Sequence, residues 1–129
     1  MSSTMSIQLS NIGQIMVNVR DLDHAVAFYR DVLGMQYLFT APNMAFFQCG
    51  DVRLMLGVAE KPEFDHPASI IYYRVDDVHA AYETLKERRV KFEHEPTIAH
   101  RTDDHELWLA FFRDVDNNVL ALMCEQRAG

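Results

Sequence analysis

The side chains best able to do chemistry gather in one short polar stretch. His100 and His105 lie in the run HRTDDHE, with Asp103, Asp104 and Glu106 beside them. Imidazole and carboxylate together can hold a transition metal or pass a proton near neutral pH. His105 and His100 are therefore the candidate bases, and His105 is also a polar group for the rim of a cleft. Their spacing in an irregular segment presets no shared face, so a solvated loop of mixed charge is the competing reading. His24 and His79 stand near expected helix starts and face solvent, and His66 lies in a proline-containing stretch. Cys49 has no base or cation at a spacing that would activate a thiol. No glycine-rich phosphate loop and no Ser-His-Asp arrangement is evident.

The elements that must position these groups come in two copies of one unit. In QIMVNVRDLDHAVAFYRDVLG an apolar strand leads to Asp21, which can accept from the free N–H groups of a first helical turn. Leu22, Ala25, Val26, Tyr29, Val32 and Leu33 then recur at helical spacing, and Gly34 supplies a left-handed stop. An offset of 56 residues carries Val19 onto Val75, Asp21 onto Asp77 and Leu22 onto Val78, with Ala81, Tyr82 and Leu85 continuing the second helix. Two copies of a unit, rather than a solenoid, fit a chain of this length.

Three strands follow the first helix: Met35 to Thr40, Met44 to Cys49 and Val52 to Val58, joined at Ala41-Pro42-Asn43 and Gly50-Asp51. The second half repeats the order, with a strand over Val90 to Glu93, a polar loop or frayed edge strand to Asp104, an apolar and aromatic strand over Glu106 to Arg113, the turn DVDNN, and a last strand over Val119 to Cys124. Each half reads βαβββ. The expectation is an α+β fold in which two such modules pair into an eight-stranded, cleft-forming sheet with helices outside. Module one spans 11–58 and module two 69–125 of a single 11–125 domain. Residues 1–10 form a flexible tail, and 59–68, with two prolines and four charges, form the linker.

A net charge of −7 argues against nucleic-acid and anionic-membrane partners, which need a basic footprint. No apolar run approaches a membrane span, and MSSTMSIQLS lacks an export signal. Cys49 and Cys124 sit at ends of apolar runs as buried thiols do, and a reducing cytoplasm is the expected compartment.

The motifs VRDL, AFYRDVLGM and FRDVDNN resemble the vicinal oxygen chelate superfamily of glyoxalase I, extradiol dioxygenases and fosfomycin- and bleomycin-resistance proteins. The likeness covers about residues 11–125, with Val115 and Asn117 replacing the proline and glycine of the family's DPDGN turn. It implies the paired-module fold and a homodimer. The family's metalloenzymes carry four ligands on strands. Those positions fall here on Gln14, Met55, Ile70 and Ala121. Glutamine serves in some glyoxalase I enzymes, but the set as a whole lacks charge, and a one-residue register error brings in no better ligand. The resemblance thus implies no metal at the usual site and no cofactor. A divalent ion on other residues is the alternative.

A cleft between modules must be lined, and the expected lining is Gln14, Met16, Met55, Ile70, Tyr72, His105, Trp108, Ala121 and Met123, with Phe46 or Phe47 adding aromatic area. Such methionine-rich walls suit a planar or apolar organic ligand. Two readings stand: a metal-free small-molecule binder near the bleomycin-resistance branch, and a lyase, isomerase or dioxygenase-type enzyme with non-standard ligands or a histidine base. A partner-binding scaffold is the third.

Overall fold

Asp21 and Asp77 begin the two helices as their offset implies. Asp21 accepts from the His24 N–H at 3.1 Å, and Asp77 accepts from the N–H groups of His79 and Ala80 at 3.0 and 3.1 Å. The computed structural model describes residues 7, 10–59, 62, 66 and 69–127. The expected tail at 1–10 and linker at 59–68 lie largely outside the described residues. The first module runs β1 (Gln14–Asn18), α1 (Leu22–Ala27), a wider π-helical turn (Phe28–Val32), β2 (Gln36–Ala41), β3 (Met44–Cys49) and β4 (Val52–Gly57). The second runs β5 (Ile71–Arg74), α2 (Val78–Glu87), β6 (Lys91–Phe92), β7 (Thr97–Arg101), β8 (His105–Arg113) and β9 (Val119–Arg127).

The strands form two mixed sheets, ordered β1-β4-β3-β2 and β5-β9-β8-β6, with β7 also on β8. The opening strand of each module runs parallel to its last, and the other pairs are antiparallel. Nine strands among the described residues replace the expected eight. β6 pairs with Phe112 and Arg113 and β7 with the stretch from Glu106 to Leu109, so the two share one strand position beside β8. Residues 93–96 interrupt it, and Pro96 has no N–H to give the ladder. The two sheets of four and five strands take the place of one continuous sheet, and the βαβββ order holds in each module.

The first helix departs from regular geometry after Ala27. Leu33 N–H bonds the Phe28 carbonyl and Met35 N–H the Tyr29 carbonyl, both at 3.0 Å, so the last turn takes an extra residue before Gly34 closes it at φ +71°. Val17, Phe47, Leu54 and Leu56 pack with Val78, Phe112, Leu120 and Leu122 in one core that spans both modules on the helix-facing side of the sheets.

A buried carboxylate ties the modules. Asp114, 6 % exposed, accepts from Tyr29 Oη at 2.8 Å, Asn118 Nδ2 at 2.9 Å, and the backbone N–H groups of Asp116 and Asn118 at 2.9 and 2.8 Å. Asn118 Nδ2 also donates to the Asn18 carbonyl at 3.0 Å, and Asp116 accepts from the Arg20 N–H at 2.9 Å. Burial beside Asp114 pushes the Tyr29 hydroxyl far above its ordinary value, so it stays a donor. Asn117 holds φ +68° in the turn between β8 and β9, as that run of aspartate and asparagine allows.

Replacing Tyr29 by Phe removes one donor from a buried charge while keeping the ring. We expect a loss of about 1–3 kcal/mol in urea unfolding, as a lower midpoint at unchanged slope. An unchanged midpoint contradicts a stabilising role for this bond.

Candidate functional site

Strand register sorts the side chains onto a helix-facing side and an open side. On the open side of the first sheet one row crosses all four strands. Met16 pairs with Met55, Met55 with Phe46, and Phe46 with Phe39. Met16 at one edge of the row is 41 % and Phe39 at the other 51 % exposed, so large apolar groups face outward at both ends of it. Phe39 and Phe46 stack at 4.7 Å. Gly57 keeps room for Met16, because a Cβ there would lie 2.7 Å from the Met16 methyl. Gln14 flanks the row and donates weakly to Met55 Sδ at 3.9 Å. Arg53, its partner on β4, lies 6.0 Å from the Phe46 ring centroid. Phe47 points the other way and is fully buried.

The second sheet presents Tyr72, Ala121 and Phe111 as one register row. Ala121 has no exposed surface, and the rings of Tyr72 and Phe111 meet edge to face at 5.9 Å across it. Ile70, two residues before Tyr72, is 45 % exposed. The next row runs Arg74, Met123, Leu109 and Thr97, and a further one Glu125, Leu107 and His100.

His105 begins β8 on the same side. Its Nε2 lies 2.8 Å from Glu125 Oε2, while Arg74 Nη2 approaches the other carboxylate oxygen at 3.4 Å. The hydrogen bond from His105 holds the Glu125 carboxyl below its ordinary value; desolvation opposes it, and the charges of His105 and Arg74 add to it. His100 shares this face from β7 and is exposed.

Trp108 does not line this surface, contrary to expectation. It pairs with the core residue Cys124, its ring meets His79 of α2 at 4.9 Å, and its Nε1 donates to Glu106 at 3.1 Å. Alternation is the reason: His105 and Trp108 are an odd number of residues apart on one strand, so they face opposite ways. The structure thus groups Gln14, Met16 and Met55 on one sheet and Tyr72, Ala121, Met123 and His105 on the other, with Ile70 just ahead of β5. Phe39, Phe111, Arg74 and Glu125 belong to these groups and were not singled out from the sequence. Counting by twos from His105 and from Ala121 would have found Phe111 and Glu125.

The four family ligand positions do not fit a divalent cation. Gln14 offers a neutral amide, Met55 a thioether, and Ile70 no donor atom. Ala121 carries a methyl under two aromatic rings. Among the described residues no three His, Cys, Asp or Glu side chains converge as a metal site requires.

Residues 11–122 match the family model of the glyoxalase/bleomycin resistance protein/dioxygenase superfamily, and the chain belongs to that superfamily. A curated relative, the uncharacterized protein YraH of Bacillus subtilis (strain 168), is 28 % identical over 123 residues, 84 % of this chain and 94 % of the relative. Among solved structures, a superfamily member from Sphaerobacter thermophilus DSM 20745 is similar at TM-score 0.73 and 25 % identity, covering 90 % of this chain and 98 % of the other. A lactoylglutathione lyase from Agrobacterium tumefaciens matches at TM-score 0.72 and 24 % identity, covering 91 % and 95 %. The second likeness bears on the fold alone. Among the described residues no helix is long and apolar enough to cross a membrane.

The His105–Glu125 pair predicts an acid-sensitive contact. A carboxyl with a depressed folded pKa contributes above its unfolded value and loses that contribution as pH falls through the folded value. Carboxyl NMR titration should place Glu125 below the ordinary glutamate range, and His105→Ala should move it upward. An unmoved titration contradicts the pair.

Proposed function

We propose that this protein binds a small planar or apolar organic molecule on the open faces of its sheets, without a metal. The observation that carries the reading is the open-face row of Met16, Met55, Phe46 and Phe39, exposed at its two ends and half-buried between them. It is soft, polarizable and aromatic, and it occupies the side where metalloenzymes of the superfamily place charged ligands. Methionine adapts its shape to a flat ligand and an aromatic ring stacks on it, so both favour desolvating such a molecule. The Tyr72–Phe111 pair over Ala121 supplies a second aromatic surface, and Gln14, Tyr72 and His105 supply polar fixing points.

A homodimer is part of this proposal. β2 is an edge strand, and Tyr37, Leu38 and Phe39 on it are each more than a third exposed, which supports coverage by a second copy. Two free thiols and the acidic surface support a cytoplasmic protein with neither nucleic-acid nor membrane partners.

The second reading is proton-transfer catalysis at the same surface. It is favoured by one observation, the 2.8 Å contact of His105 with Glu125, which would orient the imidazole as a base.

A panel of planar bicyclic aromatics, with 2-naphthol as the simplest member, tests the first reading by calorimetry. We expect saturable binding that Met16→Lys or Tyr72→Ala weakens by about tenfold or more, while both variants keep the parent melting profile. Absence of binding across the panel, or one tightly held metal ion per chain by elemental analysis, contradicts it. Turnover of any bound compound that His105→Ala abolishes would establish the second reading.

A further inference from the structure

A cavity of about 360 Å³ lies on the helix-facing side of the sheets, at the junction of the modules, away from the open faces. Leu33 and Met35 wall it from the first module, and Val75, Leu85, Phe112 and Leu122 from the second. Its volume is in the range that natural small-molecule pockets occupy. The small side chains of Ala80 and Ala81 keep α2 from filling it.

The polar part of the lining is sparse and one-sided. Among the described residues no aspartate or glutamate contributes, although the chain carries a net charge of −7, and Arg88 is the one cation. Its Nη1 donates to the Val32 carbonyl at 2.7 Å, which anchors the guanidinium across the junction. Among the described residues its other N–H groups have no hydrogen-bond acceptor. A guanidinium held by one nitrogen, with the rest of its donor edge free, suits a carboxylate. Apart from the hydroxyls of Thr84 and Tyr73, the remaining lining is apolar and suits a hydrocarbon chain.

We propose that this cavity is a second binding site, for a single-chain apolar carboxylate of the medium-chain fatty-acid class. The carboxylate meets Arg88 at the mouth, and the chain lies between Leu33 and Met35 on one side and Leu85, Phe112 and Leu122 on the other. The occupant bridges the two modules, so binding raises the stability of their packing by mass action.

Decanoate is the probe, with decanol and decylamine of equal chain length as neutral and cationic controls. Calorimetry on the full chain should rank decanoate above decanol and decanol above decylamine. Arg88→Gln should weaken decanoate by about tenfold and leave decanol unchanged. Thr84→Phe, which fills the mouth from an exposed helix position, should weaken both. Methionine-methyl NMR fixes the location: decanoate should shift Met35 and leave Met16 and Met55 in place. Absence of decanoate binding, equal affinity for decylamine, equal losses of decanoate and decanol in Arg88→Gln, or shifts at Met16 and Met55 without Met35 would each overturn the proposal. Because the readouts use different methionines, failure here is distinguishable from failure of the open-face reading.

Discussion

The carboxylate of Asp114 joins what the chain separates. It holds the Tyr29 hydroxyl of the first module and the two N–H groups that shape its own turn, and through Asn118 it reaches the end of β1. A buried charge without a cation is tolerable when each lone pair meets a donor, and four donors do so here. The cost of losing any one of them makes the network a positional device. β9 starts directly after Asn118, so Ala121 and Met123 are placed relative to β1 by this network. Register then carries that placement from strand to strand.

The same logic explains why the open faces are apolar where metalloenzymes of the superfamily are charged. A ligand set needs several converging donors, and here Gln14, Met55 and Ala121 lie against apolar or aromatic neighbours while Ile70 is an exposed hydrocarbon. Met55 lies between Met16 and Phe46 in its row, and Ala121 between Tyr72 and Phe111. Of the polar groups on these faces, His105, Glu125 and Arg74 meet toward the end of β9, and Arg53 lies beside the Phe46 ring. The surface is therefore suited to desolvating a flat organic molecule, with polar selectivity at its edge.

Much of the fold was legible because local physics marks it. Asp21 and Asp77 announce helix starts by their capping chemistry, Gly34 a helix end, and Asn117 a turn that needs positive φ. The internal repeat doubled each of these signals. The face of β8 was misread at Trp108 because an aromatic residue beside a histidine looks like a pocket until alternation is counted from a fixed neighbour. The break between β6 and β7 follows from Pro96, but the strand on its far side is polar, and its pairing depends on β8 rather than on its own pattern. The π-helical turn has no local marker, and the hydrogen-bond partner of its Tyr29 lies in the other module. The cavity beside Arg88 was invisible for the same reason: its walls come from segments far apart in sequence.

In the proposed function the methionine–aromatic row on the open face receives an organic ligand. Methionine-methyl NMR with selectively labelled protein, titrated with 2-naphthol, tests it most directly, since an aromatic ring shifts the methyls it covers. Saturable shifts are expected at the Met16 and Met55 methyls, while Met35, on the opposite side, stays still. Unmoved Met16 and Met55 signals at saturating ligand, or shifts confined to Met35, would contradict it.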